Sequence, residues 1–163
     1  STKRITQIKV ICETLANTFG EVVIDQYRAL PNWAVLNKLS ESALRTCKMG
    51  YRARYIKETA GILAEEPNYL SEIETLSFPE ARRALIALPG VGEKIADCVL
   101  LFGVGHLEAF PVDVWIKRVL RESYLSTSNV KVPDSRLREW AQSKFGTYAG
   151  YANQYLFHKR RLD

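Results

Sequence analysis

Histidine, cysteine and methionine are all scarce in this chain. Among 163 residues there are two histidines, His106 and His158, three cysteines and one methionine. Two distant histidines are too few for a histidine-based zinc site. The cysteines, Cys12, Cys47 and Cys98, are odd in number and widely spaced. They form neither a disulfide framework nor a metal motif, so reduced thiols in an intracellular protein are expected. Long apolar runs are missing as well. The longest, Cys98 to Val104, is far too short to cross a bilayer. The chain opens on the polar Ser1-Thr2-Lys3-Arg4, which is no signal-peptide core. No sign of charge dominates: 23 Lys and Arg face 18 Asp and Glu, a net +5. That excess permits a polyanionic partner without establishing one.

What is present is helical periodicity. Ile5, Ile8, Ile11, Cys12, Leu15 and Phe19 form a first stripe that Gly20 can stop. Leu30-Pro31-Asn32 breaks the chain before a short helix with Trp33, Val35 and Leu36. Ser40 suits the N-cap of another, ending near Gly50. Residues 51–63 read as a basic-faced helix, and 70–76 as a short one. Ser77-Phe78-Pro79-Glu80 is a capping box opening a helix to Ala87. Pro89-Gly90-Val91-Gly92 is a tight connection, and Glu93 to Phe102 the next helix. Asp113 suits the N-cap of another. A polar loop is expected over 123–133, then helices over 134–145 and 148–158. Val22-Val23-Ile24 is the only β-like run, and no strand pair is expected. The fold class predicted is all-α, many short helices in two packed lobes.

The pattern helix, Leu88-Pro89-Gly90-Val91-Gly92, helix is a helix-hairpin-helix motif, spanning 81–102. Two glycines permit a sharp turn and close backbone approach. The N–H groups that open the second helix carry partial positive charge and can hold a phosphate whatever the base sequence. A nucleotide-binding P-loop is excluded: Glu93 separates Gly92 from Lys94, no Ser or Thr follows, and a helix rather than a strand precedes. Taken alone, the motif is equally a tight helix–helix turn.

The flanks add a resemblance. LPGVGEKIADC, followed nineteen residues after the lysine by Asp113 in FPVDVWIKRV, resembles the helix-hairpin-helix/Gly-Pro-Asp superfamily of DNA glycosylases. GYRARYI at 50–56 and GTYAGYANQYLF at 146–157 narrow it to the 8-oxoguanine DNA glycosylase/AP lyase family. The likeness runs over essentially the whole chain and implies one catalytic core over 1–163. Family members usually carry an additional N-terminal β-rich domain, which is absent from these residues. Without its contacts, discrimination against guanine is expected to be poorer.

The resemblance also implies roles. Lys94 stands at the nucleophilic lysine. A neutral amine attacks the sugar C1′, forms a Schiff base and allows β-elimination; partial burial and the helix N-terminus favour the neutral form. Asp113 stands at the essential aspartate, which stabilises charge developing on the sugar, alongside any capping role. Cys98, one turn beyond Lys94, lines the base pocket in relatives, although a small buried hydrophobe is the common fate of a free cysteine. Phe157 stands at the aromatic that stacks on the extruded base; core packing competes with that reading. Asn153 stands where the family commonly has Gln, and Gln154 is turned about 100° away around the helix. Tyr51 and Arg52 stand at the wedge and the donor to the orphaned cytosine, and Arg4 at a second contact to that base. An amphipathic basic helix is the plain alternative for 51–63. Trp115 replaces a histidine found in relatives. Lys117, Arg118 and Arg121 face either DNA or solvent. Gly90, Val91 and Gly92 would grip DNA backbone, and carbonyls of Leu88 and Val91 would hold a monovalent or calcium ion. No organic cofactor is required. No iron–sulfur cluster is expected either, since no cysteine follows Cys98.

The function expected is therefore a monomeric base-excision-repair glycosylase and AP lyase. It would remove 8-oxoguanine opposite cytosine from duplex DNA, in the nucleus or in bacterial or archaeal cytoplasm. The alternatives are a lyase or glycosylase for another lesion and a noncatalytic helix-hairpin-helix module. The module would need Gly90 and Gly92 but neither Lys94 nor Asp113.

Overall fold

The structure, a computed structural model, describes residues 4–124 and 132–162, with side chains to Lys159. Ser1, Thr2 and most of the loop expected at 123–133 lie outside the described residues. The chain divides into two compact units. One holds the residues up to Glu72 together with Leu88–Gly90; the other holds Ile73–Ala87 and the chain from Val91 onward.

In the first unit, α1 (Ile5–Phe19) ends at Gly20 as its periodicity predicts. Its N-terminal apolar residues Ile5, Ile8 and Val10 are exposed, and of this helix Leu15 alone is buried. The expectation of no strand pair fails here. β1 (Val22–Ile24) pairs antiparallel with β2 (Tyr27–Arg28). The hairpin turns through Asp25, which takes a positive φ of 48°. Arg28 Nη1 donates to the Gly20 carbonyl at 2.8 Å. Both strands are exposed throughout, so no alternating burial pattern marks them.

The next helices start at side-chain caps. Asn32 Oδ1 accepts from the Val35 N–H at 2.9 Å and opens α2 (Trp33–Lys38). Ser40 Oγ accepts from the Ala43 N–H at 3.1 Å and opens α3 (Glu41–Thr46). Each such cap satisfies one of the N–H groups a helix start leaves unpaired. α4 (Arg52–Glu65) packs on α2, and its Ala53 and Ala60 are fully buried. Lys57 Nζ donates to the Asn37 carbonyl at the C-terminal end of α2. The core combines Leu15, Leu36, Leu44, Cys47 and Met49 with these alanines.

α5 (Tyr69–Ile73) leads to the second unit. There α6 (Phe78–Ala87) opens with Glu80 accepting from both the N–H and the hydroxyl of Ser77. α7 (Glu93–Val99) is shorter than the expected 93–102 helix. From Leu100 to Val104 the backbone widens into a π-helical turn, closed by Gly105 N–H on the Leu100 carbonyl at 2.9 Å with Gly105 at φ 92°. α8 (Val114–Ser123), α9 (Asp134–Phe145), a 3-10 turn (Gly146–Tyr148) and α10 (Ala149–Leu162) complete it. Its core joins Phe110, Val112, Ile116, Leu120, Leu137, Ala141 and Ala149. Burying a side chain such as Phe110, at 0% exposure, contributes about 2–3 kcal/mol. Gly150 is a point of close approach: its N–H donates to the Leu107 carbonyl at 2.7 Å, and a Cβ there would lie 2.3 Å from Leu101 Cδ1.

Candidate active site

The connection after α6 begins with buried Leu88. The two hairpin glycines turn out to differ. Gly90 takes φ +75°, and a Cβ on it would lie 2.6 Å from both Cβ and Cγ of Tyr55. The close approach is thus to a side chain, not to another backbone. Thr59, one turn beyond Tyr55 on α4, donates from Oγ1 to the Pro89 carbonyl at 3.1 Å. Gly92 has an ordinary φ of −91° and is the N-cap of α7 with no side-chain cap. Among the described residues nothing lies within 4 Å of where its Cβ would be. Gly92 is therefore not needed for the turn; it leaves open the space beside the first N–H groups of α7. Val91 is half-buried.

α7 is held by four charges that sequence spacing did not reveal. Asp97, fully buried, accepts from Arg82 Nε and from Arg138 Nε, each at 2.7 Å. Arg138 Nη2 donates to Glu93 Oε2 at 3.0 Å, and Arg82 Nη2 lies 3.3 Å from Glu93 Oε1. Burial pushes the Glu93 carboxyl up, but the hydrogen bonds and charges of Arg138 and then Arg82 outweigh it. The net effect holds the carboxyl below its ordinary value of 4.5. An aspartate within an apolar helical stripe, between Ala96 and Cys98, was the available signal: a buried carboxylate requires partners.

Beside this network is an open pocket of about 430 Å³, lined by Lys94, Cys98, Phe102, Pro111, Asp113, Ile116, Asn153, Gln154 and Phe157. It gathers all five residues singled out for catalysis and the base pocket. Lys94, Cys98 and Phe102 come from successive turns of one face, Phe102 being carried out by the wide turn and exposed. Lys94 and Cys98 are both half-buried. Asp113 Oδ1 accepts from the Ile116 N–H at 2.8 Å, so the cap that starts α8 also fixes the carboxylate at the pocket. Phe157 lines the pocket and packs on the core. Asn153 is buried at 3% exposure; its Nδ2 donates to the Pro111 carbonyl at 2.9 Å. Phe102, Pro111, Ile116 and Gln154 were not expected in the lining.

Other expected contacts sit elsewhere. Tyr51 is exposed, the Arg52 guanidinium lies over its ring at 4.6 Å, and Tyr55 meets it edge-on. Arg4, exposed, precedes α1, and its N–H donates to Gln7 Oε1 at 2.9 Å. These three belong to the first unit. On α8, Lys117 pairs with Asp134 at 2.7 Å, while Arg118 stacks on the exposed Trp115 at 5.3 Å. Among the described residues no group of three or more His, Cys, Asp or Glu could hold a metal ion, and no helix is long and apolar enough to cross a membrane.

Comparison with known proteins places these features in a family. The profile described as HhH-GPD superfamily base excision DNA repair protein matches residues 4–142. A probable N-glycosylase/DNA lyase of Methanothermobacter thermautotrophicus is 44% identical over 119 residues, covering 72% of this chain and 37% of that protein. The Clostridium acetobutylicum 8-oxoguanine glycosylase/lyase, solved with double-stranded DNA containing cytosine opposite 8-oxoG, is 31% identical. It superposes with a TM-score of 0.89, covering 99% of this chain and 56% of that one. MBOgg1, solved with a low-affinity DNA ligand, is 34% identical with a TM-score of 0.91, covering 99% and 56%. The chain thus spans little more than half the length of these relatives, or less.

Proposed function

The chain belongs to the HhH-GPD superfamily of base excision DNA repair proteins, and on that premise we propose that it is a bifunctional DNA glycosylase and AP lyase acting on 8-oxoguanine opposite cytosine. The observation that carries this reading is the meeting of Lys94 and Asp113 in one pocket. A noncatalytic DNA-binding module has no use for that pair.

In the proposed reaction the lesion base is extruded from the duplex and enters the pocket against Phe157. Lys94 Nζ attacks C1′ through its lone pair. The glycosidic bond breaks, and the base leaves with the bonding electrons and takes up a proton. Opening of the sugar ring gives an imine between Lys94 and C1′. The imine acidifies the C2′ proton; its loss breaks the C3′–O bond and cuts the strand 3′ to the lesion. Asp113, with Oδ1 held by the Ile116 N–H, keeps a second carboxylate oxygen for the positive charge that develops on the sugar. The half-buried Cys98 stands one turn from Lys94 and contributes to the polar lining of the pocket.

The same reading assigns Tyr51 and Arg52 to the duplex left behind, the ring as wedge and the guanidinium as donor to the orphaned cytosine, with Arg4 as a second contact to that base. The open N-terminus of α7 at Gly92 takes a backbone phosphate. A hard monovalent or calcium ion in the hairpin would need only backbone carbonyl donors and would add positive charge there; no organic cofactor enters the chemistry. The protein acts as a monomer and wherever the cell keeps its DNA.

Borohydride trapping tests this on two duplexes, one with 8-oxoguanine opposite cytosine and one with an abasic site. Covalent adducts on both, lost in Lys94→Gln, support it. An adduct on the abasic duplex alone restricts the activity to the lyase or to another lesion. No adduct on either overturns the proposal.

A further inference from the structure

Two side-chain amides line the pocket, on adjacent residues of α10, and they are in different states. Asn153 is buried and its Nδ2 is committed to the Pro111 carbonyl at 2.9 Å. Pulling that amide toward a ligand would leave the buried carbonyl unpaired. Its Oδ1 accepts from Gln154 Nε2 at 3.3 Å. Gln154 is exposed and one methylene longer, and this is its side chain's one hydrogen bond among the described residues. Gln154 Oε1 has no hydrogen-bond partner among the described residues.

We infer that Gln154, not Asn153, reads the edge of the base held in the pocket, and that Asn153 is a positioning residue that orients it. The inference rests on the reading of this pocket as the base site. Gln154 and Phe157 are three residues apart and so are neighbours on the helix surface, which sets an amide beside an aromatic face. The bond from Nε2 to Asn153 Oδ1 fixes which way the Gln154 amide points: nitrogen toward Asn153, oxygen outward. An outward oxygen accepts and does not donate. It selects a base whose edge offers a ring N–H next to a carbonyl, as guanine-type lactams do. A base with an unprotonated ring nitrogen there, as adenine-type bases have, meets oxygen against lone pair. Asn153 tethers α10 to Pro111, two residues before Asp113, so it keeps reader and carboxylate in register.

The test uses single-turnover base release from three duplexes, carrying 8-oxoguanine, 8-oxoadenine or an abasic site. The two lesions share the oxidised ring and differ at the edge Gln154 would read. The wild-type chain is expected to prefer 8-oxoguanine. In Gln154→Leu, 8-oxoguanine release divided by abasic cleavage should fall about tenfold or more, and the preference over 8-oxoadenine should shrink with it. Gln154→Glu, which keeps an acceptor oxygen facing outward, should keep the preference. An unchanged ratio and preference in Gln154→Leu would overturn the inference while leaving the lyase reading intact. So would a wild-type chain that cleaves abasic sites but releases neither base. Failure of the wild-type chain on all three duplexes strikes the proposed function itself, and the inference falls with it.

Discussion

Arg138 donates from Nε to Asp97 Oδ2 at 2.7 Å, and this bond ties α9 to the helix that carries Lys94. Asp97 is wholly buried and serves Arg82 from its other oxygen. Removing it leaves two guanidiniums with little solvent, at 18% and 7% side-chain exposure. Breaking a buried pair by deleting one partner typically costs about 3–5 kcal/mol. Asp97→Ala is expected to lower unfolding stability by that order, read from urea midpoints at constant slope. A loss under about 1 kcal/mol would mean that the network is not a structural element.

The pH dependence of stability carries the signature of Glu93. Its carboxyl is held low in the folded protein by Arg138 and Arg82, against the opposing push of burial. A carboxyl with a depressed folded pKa stabilises the fold above its unfolded value, and the contribution disappears as pH falls through the folded value. Stability should therefore decline below about pH 4.5, the ordinary value. Glu93→Gln should flatten part of that decline. A residual slope is expected, because the Ser77 hydroxyl and N–H hold Glu80 low as well. Identical profiles for the two proteins would contradict the assignment.

The two hairpin glycines should separate stability from DNA binding. Gly90→Ala forces a side chain into a left-handed conformation and against Tyr55, and the strained backbone alone costs about 1–3 kcal/mol. Adding Tyr55→Ala should recover only the part due to the ring, because alanine keeps the Cβ that also lies 2.6 Å away. Gly92→Ala meets open space at an ordinary φ, so its stability should change by less than about 1 kcal/mol. Its affinity for duplex DNA should nonetheless fall, because the new methyl group occupies the approach to the α7 N-terminus. Equal effects of the two substitutions on melting and on DNA affinity would argue against this division.

Asp113 holds two roles that one pair of variants distinguishes. Asparagine is as good an N-cap as aspartate, whereas alanine costs about 1 kcal/mol. Asp113→Asn should melt like the wild type, yet cleave 8-oxoguanine duplexes about a hundredfold more slowly or worse. Asp113→Ala should lose both stability and cleavage. If Asp113→Asn cleaves normally, the residue is a cap alone.

Helix starts were legible because single side chains write them. Ser40 and Asp113 each cap the helix expected of them, and Asn32, expected only as part of a chain break, caps the helix after it; the pocket residues Lys94, Cys98 and Asp113 fall close enough in sequence to be read as one motif. What stayed hidden has physical reasons. The hairpin of Val22–Ile24 and Tyr27–Arg28 is too short and too exposed to alternate. The wide turn at Leu100–Val104 sits in an apolar run that an α-helix would fit equally well. The Arg138–Asp97 and Asn153–Pro111 bonds join residues 41 and 42 positions apart, beyond any local spacing rule. The second of these commits Asn153 Nδ2 to a carbonyl that no local pattern announces.

The most direct test of the central claim locates the covalent bond. After borohydride reduction on the abasic duplex, digestion and mass spectrometry of the adduct should place the sugar remnant on Lys94 Nζ. The half-buried Lys57 and Lys117, bonded to the Asn37 carbonyl and to Asp134, should be unmodified. A remnant on either of these, or on any lysine but Lys94, would contradict the account.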